Sequence, residues 1–188
     1  MKIFCIPLLI AVTFALNTSC EKDDPAPAQY LSNSNIEGST EQPWFFNGDT
    51  SIFTAECITD ESFSPTHSLK IYTAISDPMS FCFWYQSISE NLPIGKELTL
   101  TARIKADNLN GLGAALAIRA DSDLGMNQFV TTQGTTTISG TFDWTEYSVN
   151  LPELSTEVTD ILVFLVLLNN TTGTVYFDNI ELKQVDIE

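Results

Sequence analysis

The chain has 188 residues, 24 Asp+Glu against 8 Lys+Arg, a formal net charge of -16, one histidine and four cysteines. That length holds one domain and a short appendage, and 44% hydrophobic residues are enough to fill a core. The acidity excludes nucleic acid, whose phosphates need clustered Lys and Arg, and a single His67 leaves no multi-histidine zinc site and few Ser-His-Asp arrangements.

Met1-Lys2 is followed by an apolar run over 3–16 and then by Asn17-Thr18-Ser19-Cys20. A bilayer span needs roughly 20 apolar residues, so this run reads as the core of a secretory signal. Ser19 directly before Cys20 resembles the lipobox of bacterial lipoproteins, which implies lipid on Cys20. The residues after it, Glu21-Lys22-Asp23-Asp24, are similar to the acidic export tag of Bacteroidota lipoproteins and imply an outer-membrane anchor facing the cell exterior. An ordinary cleavage site near Ser19 and a soluble secreted protein is the alternative. Removal of residues 1–19 takes one lysine and no acid, which makes the remainder more acidic than the whole chain.

Residues 20–29 are acidic and rich in Pro and Ala, as suits a solvated tether, and the domain is placed at 30–188. Beyond the tether no segment sustains helical spacing of apolar residues, whereas short alternating or apolar runs recur between turn signals. Strands are predicted over 44–46, 51–56, 67–74, 79–88, 97–106, 114–120, 128–132, 136–140, 145–151, 160–168 and 174–183. The cleanest of them puts Leu98, Leu100, Ala102 and Ile104 on one face and Thr99, Thr101, Arg103 and Lys105 on the other. Eleven strands fit an all-β, two-sheet antiparallel jelly roll.

Ordered pieces then align: Asn35-Ile36-Glu37-Gly38 with Pro43-Trp44, Ser68-Leu69-Lys70-Ile71, Gln86-Ser87-Ile88, Asp143-Trp144, and the closing Gly173-Thr174-Val175-Tyr176-Phe177-Asp178-Asn179-Ile180-Glu181-Leu182. Their order resembles carbohydrate-binding modules of families 4 and 9, within the galactose-binding-like jelly rolls. The resemblance implies polysaccharide or oligosaccharide binding and a structural calcium. Its ligands would be the carboxylates of Glu37 and Asp178, with backbone carbonyls from around Asn35 and Lys70. Calcium takes hard oxygens in adaptable geometry, which this set supplies; a capping Asp178 and a solvated Glu37 are the alternative.

Strand 79–88 alternates Phe81, Phe83 and Tyr85 against Cys82, Trp84, Gln86 and Ile88. The Tyr85 face is read as core. That leaves Trp84 and Gln86 in the ligand site, with Arg103, Arg119 and Gln128 as polar partners, since sugars pair apolar C–H faces with polar edges. Cys57 and Cys82 form one disulfide or remain two buried thiols. The run 161–168 is apolar on both faces, so it is a strand covered on both sides, a cleft wall or a protein contact. With no nucleophile motif or phosphate loop, the expected function is non-catalytic glycan capture beside polysaccharide-utilisation machinery. The alternative is an adhesion lipoprotein that binds an envelope protein, and carboxylate-based glycoside hydrolysis ranks below both.

Overall fold

The computed structural model describes residues 28–38 and 40–185; the signal, Cys20 and most of the tether lie outside them. The described chain is all-β, with β1 (Phe45–Asn47), β2 (Thr54–Ile58), β3 (Ser68–Thr73), β4 (Cys82–Ile88), β5 (Glu97–Ser122), β6 (Gly125–Thr131), β7 (Ile138–Leu151), β8 (Val158–Leu167) and β9 (Thr172–Val185). Every pairing is antiparallel.

Two sheets share one strand. The first half of β5 pairs with β9 and β7, and β9 continues through β3 to β2. Its second half pairs with β8 and β6, and β8 continues through β4 to β1. The sheets therefore run β2-β3-β9-β5-β7 and β1-β4-β8-β5-β6, and their apolar faces meet in one core. Leu98, Leu100, Ala102 and Ile104 are buried as their alternation requires, against Leu69, Ile71, Val175 and Phe177 of the same sheet. From the other sheet come Leu116, Ile118, Val163, Leu165, Cys82 and Trp84.

The described residues form nine strands where the sequence predicts eleven, because two apparent breaks are bends inside continuous strands. Residues 108–113, between the predicted strands 97–106 and 114–120, turn β5 from one sheet into the other, with left-handed φ at Asn108, Gly111 and Gly113. Gly140 does the same within β7, joining the expected 136–140 and 145–151. The β5 bend interlocks with neighbouring backbone: Gly113 N–H donates to the Thr171 hydroxyl at 2.9 Å, and Leu168 N–H donates to the Gly113 carbonyl at 2.9 Å. A Cβ at 113 would collide with the Ile138 carbonyl oxygen.

A second correction concerns β4. Trp84 and Gln86, expected in the ligand site, point into the core, and Phe81, Phe83 and Tyr85 face outward. The reason is that each buried polar end has a partner. The Trp84 indole N–H reaches the Lys70 carbonyl at 3.4 Å, and its ring meets Phe46 edge-on at 5.5 Å. The Gln86 amide accepts Ser32 N–H at 2.8 Å and donates to the Ser32 carbonyl at 2.9 Å, holding the entering chain across the end of the core. Cys57 and Cys82 are separate thiols.

The bend gives the first test. Gly113→Ala combines a left-handed φ with a backbone collision, so it should destabilise by about 2–4 kcal/mol in urea unfolding. Gly140→Ala has the positive φ but open space, and should cost about 1 kcal/mol. Equal losses would show that the bend tolerates a side chain.

Candidate functional site

The outer face of the β1-β4-β8-β5-β6 sheet carries a cleft of about 730 Å³. The register builds it in ranks across the strands. Phe45, Tyr85, Phe164, Ala117 and Thr131 form one rank, and Asn47, Phe83, Val166 and Ala115 the next. Ser87, Leu162, Arg119 and Phe129 form a third. Two adjacent alanines on β5 leave a trough between the β4/β8 rings on one side and β6 on the other. The rings interlock: Phe83 meets Phe164 edge-on at 5.1 Å, stacks on Phe81 at 6.0 Å and touches Tyr85 at 5.8 Å.

The rim is exposed and apolar. Met79 is 86% exposed, Met126 62%, Phe81 55% and Phe129 51%. Folding does not require large apolar side chains to stand in solvent together, and such a patch marks a contact site. Arg119 is the one charged residue lining the cleft, and its Nε–H donates to Asp121 at 2.7 Å, which fixes the guanidinium plane.

Of the five residues expected in the ligand site, the structure brings only Arg119 into this cleft. Trp84 and Gln86 are core. Arg103 lies on the outer face of the other sheet, paired with Glu146 at 3.1 Å and stacked over the Phe63 ring at 4.8 Å. Gln128 sits on β6 beside Phe129, but its amide ties down the loop between β7 and β8, donating to the Glu153 carbonyl at 2.8 Å and accepting Ser155 N–H at 2.9 Å. Sequence reasoning missed Phe81, Phe83, Phe129 and the two methionines, while Phe164 lies in the run 161–168 for which a cleft wall is one of the readings. The signal was present in two strands, 79–88 and 161–168, each apolar on both faces: paired as β4 and β8 they leave a whole sheet surface apolar.

A second cluster lies under the loop leading into β3. Asp178 is buried and accepts N–H donors from Phe63, Ser64 and Asn179 at 2.8, 2.7 and 2.6 Å. Burial pushes its carboxyl above the usual value against the pull of those donors. Glu37 accepts both the hydroxyl and the N–H of Thr66 and the N–H of His67. The Thr66 hydroxyl first, then its N–H, hold Glu37 down to about 2. The Ser64 hydroxyl stands 2.8 Å from the Asn35 carbonyl, 3.2 Å from Glu37, and 2.8 and 2.9 Å from the two Asp178 oxygens. One hydroxyl proton serves four acceptors there, so Glu37, Asp178 and Asn35 form an oxygen-rich set that suits a hard cation. The Lys70 carbonyl is not among these oxygens, being directed at the Trp84 indole.

Neither a protein-family model nor a curated protein sequence matches the chain. Solved structures do match in fold. The enzymatically active domain of bacteriophage CBA120 tailspike protein 4 aligns with TM-score 0.64 at 12% identity, over 84% of this chain and 21% of that one, so the present chain spans about a fifth of its length. The carbohydrate-binding module TmCBM61, solved with β-1,4-galactotriose, aligns with TM-score 0.58 at 14% identity over 84% of this chain and 99% of that one. A Stig cyclase from Fischerella sp. TAU, solved with an indole compound, aligns with TM-score 0.65 at 14% identity over 87% of this chain and all of the other. At these identities the likeness is one of fold, a β-sandwich shared by a tailspike domain, a carbohydrate-binding module and a cyclase.

The Glu37 shift sets a pH test. A carboxyl with a folded value near 2 against an ordinary 4.5 stabilises the fold when ionised, and that contribution fades as pH falls from about 4.5 to about 2. The melting-temperature gap between the unaltered protein and Glu37→Gln should therefore narrow across that window. A gap that stays constant from pH 5 to 2 would show that the ionised carboxylate does not hold the 64–67 loop.

Proposed function

We propose that the chain is a non-catalytic carbohydrate-binding β-sandwich of the family 4/9 type, displayed on the outer membrane through lipid on Cys20. Its role is to capture glycan beside polysaccharide-utilisation machinery. The observation that carries this reading is the cleft with exposed rings. Sugar C–H faces lie against aromatic planes, and Arg119, Gln133 and Asn169 offer hydrogen bonds at its edges. The fold shared with a module that holds β-1,4-galactotriose supports it. Binding rather than hydrolysis fits the lining, which includes no carboxylate to serve as acid, base or nucleophile. The rival, an adhesion lipoprotein, would use the same exposed rim to bind an envelope protein.

Calcium is part of the proposal. Glu37, Asp178 and the Asn35 carbonyl would hold it, and it would tie the chain entering the domain to the last strand and to the loop before β3. It would take no part in ligand binding, because Glu37 lies on the segment entering the domain and Asp178 on β9, neither of which lines the cleft.

Two measurements check these statements. Calorimetry and affinity gels with β-1,4-galactotriose, xylo-oligosaccharides and their parent polysaccharides should find a ligand. Phe129→Ala should weaken it about five- to tenfold, the worth of one aromatic contact. Silence across the panel with specific retention of an envelope protein would favour the rival. For calcium, an excess at about 100 times its Kd should stabilise the protein by about 2.7 kcal/mol, and Glu37→Gln should abolish the effect. A melt indifferent to calcium and to chelator would remove the ion.

A further inference from the structure

The polar inventory of the cleft is short for a ligand made only of sugar. Four of its fifteen lining residues carry polar side chains, Arg119, Thr131, Gln133 and Asn169. Most of that capacity is spent within the protein. The Thr131 hydroxyl donates to the Leu116 carbonyl at 3.0 Å and accepts Gln133 N–H at 3.1 Å. The Asn169 amide donates to the Pro78 carbonyl at 2.7 Å, and Arg119 Nε–H is held by Asp121. A bare oligosaccharide lying along the trough would desolvate hydroxyls on each ring with few groups to receive them. The half-buried Phe83 and Phe164 and the exposed Phe129 instead match a flat apolar group.

Charge narrows the ligand further. Among the described residues no acidic side chain lines this cleft, and the one charged group there is a cation whose Nη edge has no partner among them. The cleft is thus complementary to an acceptor, a carbonyl or carboxylate, beside an apolar body. The two methionines outside the leader, Met79 and Met126, both stand at its rim, where unbranched thioethers adapt to a ring's edge.

We infer that the cleft recognises an ester-linked aromatic acyl group on a glycan. The ring lies against Phe83, Phe164 and Phe129, which cover the buried Ala115 and Ala117 beneath them. The ester carbonyl accepts from Arg119 Nη, and the sugar leads out past Gln133 into solvent. This rests on the glycan reading above and names the part of the glycan that is held.

Calorimetry with three probes tests it: a xylo-oligosaccharide, the same oligosaccharide carrying one feruloyl ester, and methyl ferulate alone. The esterified sugar should bind about tenfold tighter than the bare one, and more tightly than methyl ferulate. Arg119→Met and Phe129→Ala, both at half-exposed positions, should each bring it back toward the bare sugar. A ratio below about threefold overturns the inference and leaves general glycan binding standing. Methyl ferulate binding as tightly as the esterified sugar overturns the inference, because the sugar then contributes nothing; binding of none of the three also overturns it, and the galactotriose arm of the panel above decides the glycan reading separately.

Discussion

One strand, β5, belongs to both sheets, and its phase determines what each sheet shows to solvent. Side chains alternate with a period of two, so a shift of one residue exchanges the faces. In the first half of β5, Leu98 to Ile104 bury every second residue. The left-handed residues at 108–113 carry that alternation round the bend so that Leu116, Ile118 and Ala120 again point inward. Ala115, Ala117 and Arg119 are thereby committed to the outer face. The register then fixes the neighbours: Phe164 and Val166 stand opposite Ala117 and Ala115, and Tyr85 and Phe83 stand opposite them. The cleft follows from the bend, because only small residues at 115 and 117 leave a trough between bulky strands.

The same logic explains what was readable in advance. Alternation over 97–106 and the spacing of turn residues fixed the class, since a half-buried strand leaves a period-two trace. The bend did not read as strand, because Asn and Gly in sequence signal a turn wherever φ is positive, whether the chain reverses or only changes sheets. The facing of β4 failed for a different reason. Both faces are apolar enough for a core, and the choice between them rests on where the Trp84 indole and the Gln86 amide find partners. Those partners, Lys70 and Ser32, are distant in sequence and near only after folding. Arg103 and Arg119 are both polar candidates in the sequence, and register alone separates them, Arg119 on the cleft sheet and Arg103 facing away on the other.

The carboxylate cluster shows how context divides two like groups. Glu37 and Asp178 share the Ser64 hydroxyl, yet one is held below its usual range and the other pushed above it. Glu37 collects donors from Thr66 and His67 near the surface, where ionisation costs little. Asp178 has as many donors but lies under the loop, where desolvation outweighs them. Holding that loop also places Phe63, whose ring supports Arg103 and meets Trp144 edge-on at 6.1 Å. The network therefore organises the outer face of the sheet that does not carry the cleft.

Acidity and the cleft are complementary features of one surface. A domain gains solubility from strong net charge, and self-repulsion hinders unwanted association through exposed apolar groups. The exposed rings of the cleft are such groups, and an acidic residue among them would protect them further while repelling an acceptor-bearing ligand. Its absence from the lining, in a chain three times richer in acids than in bases, is the arrangement expected if the cleft must stay open to a ligand while the rest of the surface keeps other partners away. The Arg119–Asp121 pair fits that division. The aspartate lies outside the lining and takes the Nε edge, so the guanidinium is oriented without an acid entering the cleft. A lysine there would lack the planar fork that lets one edge be anchored while the other remains available.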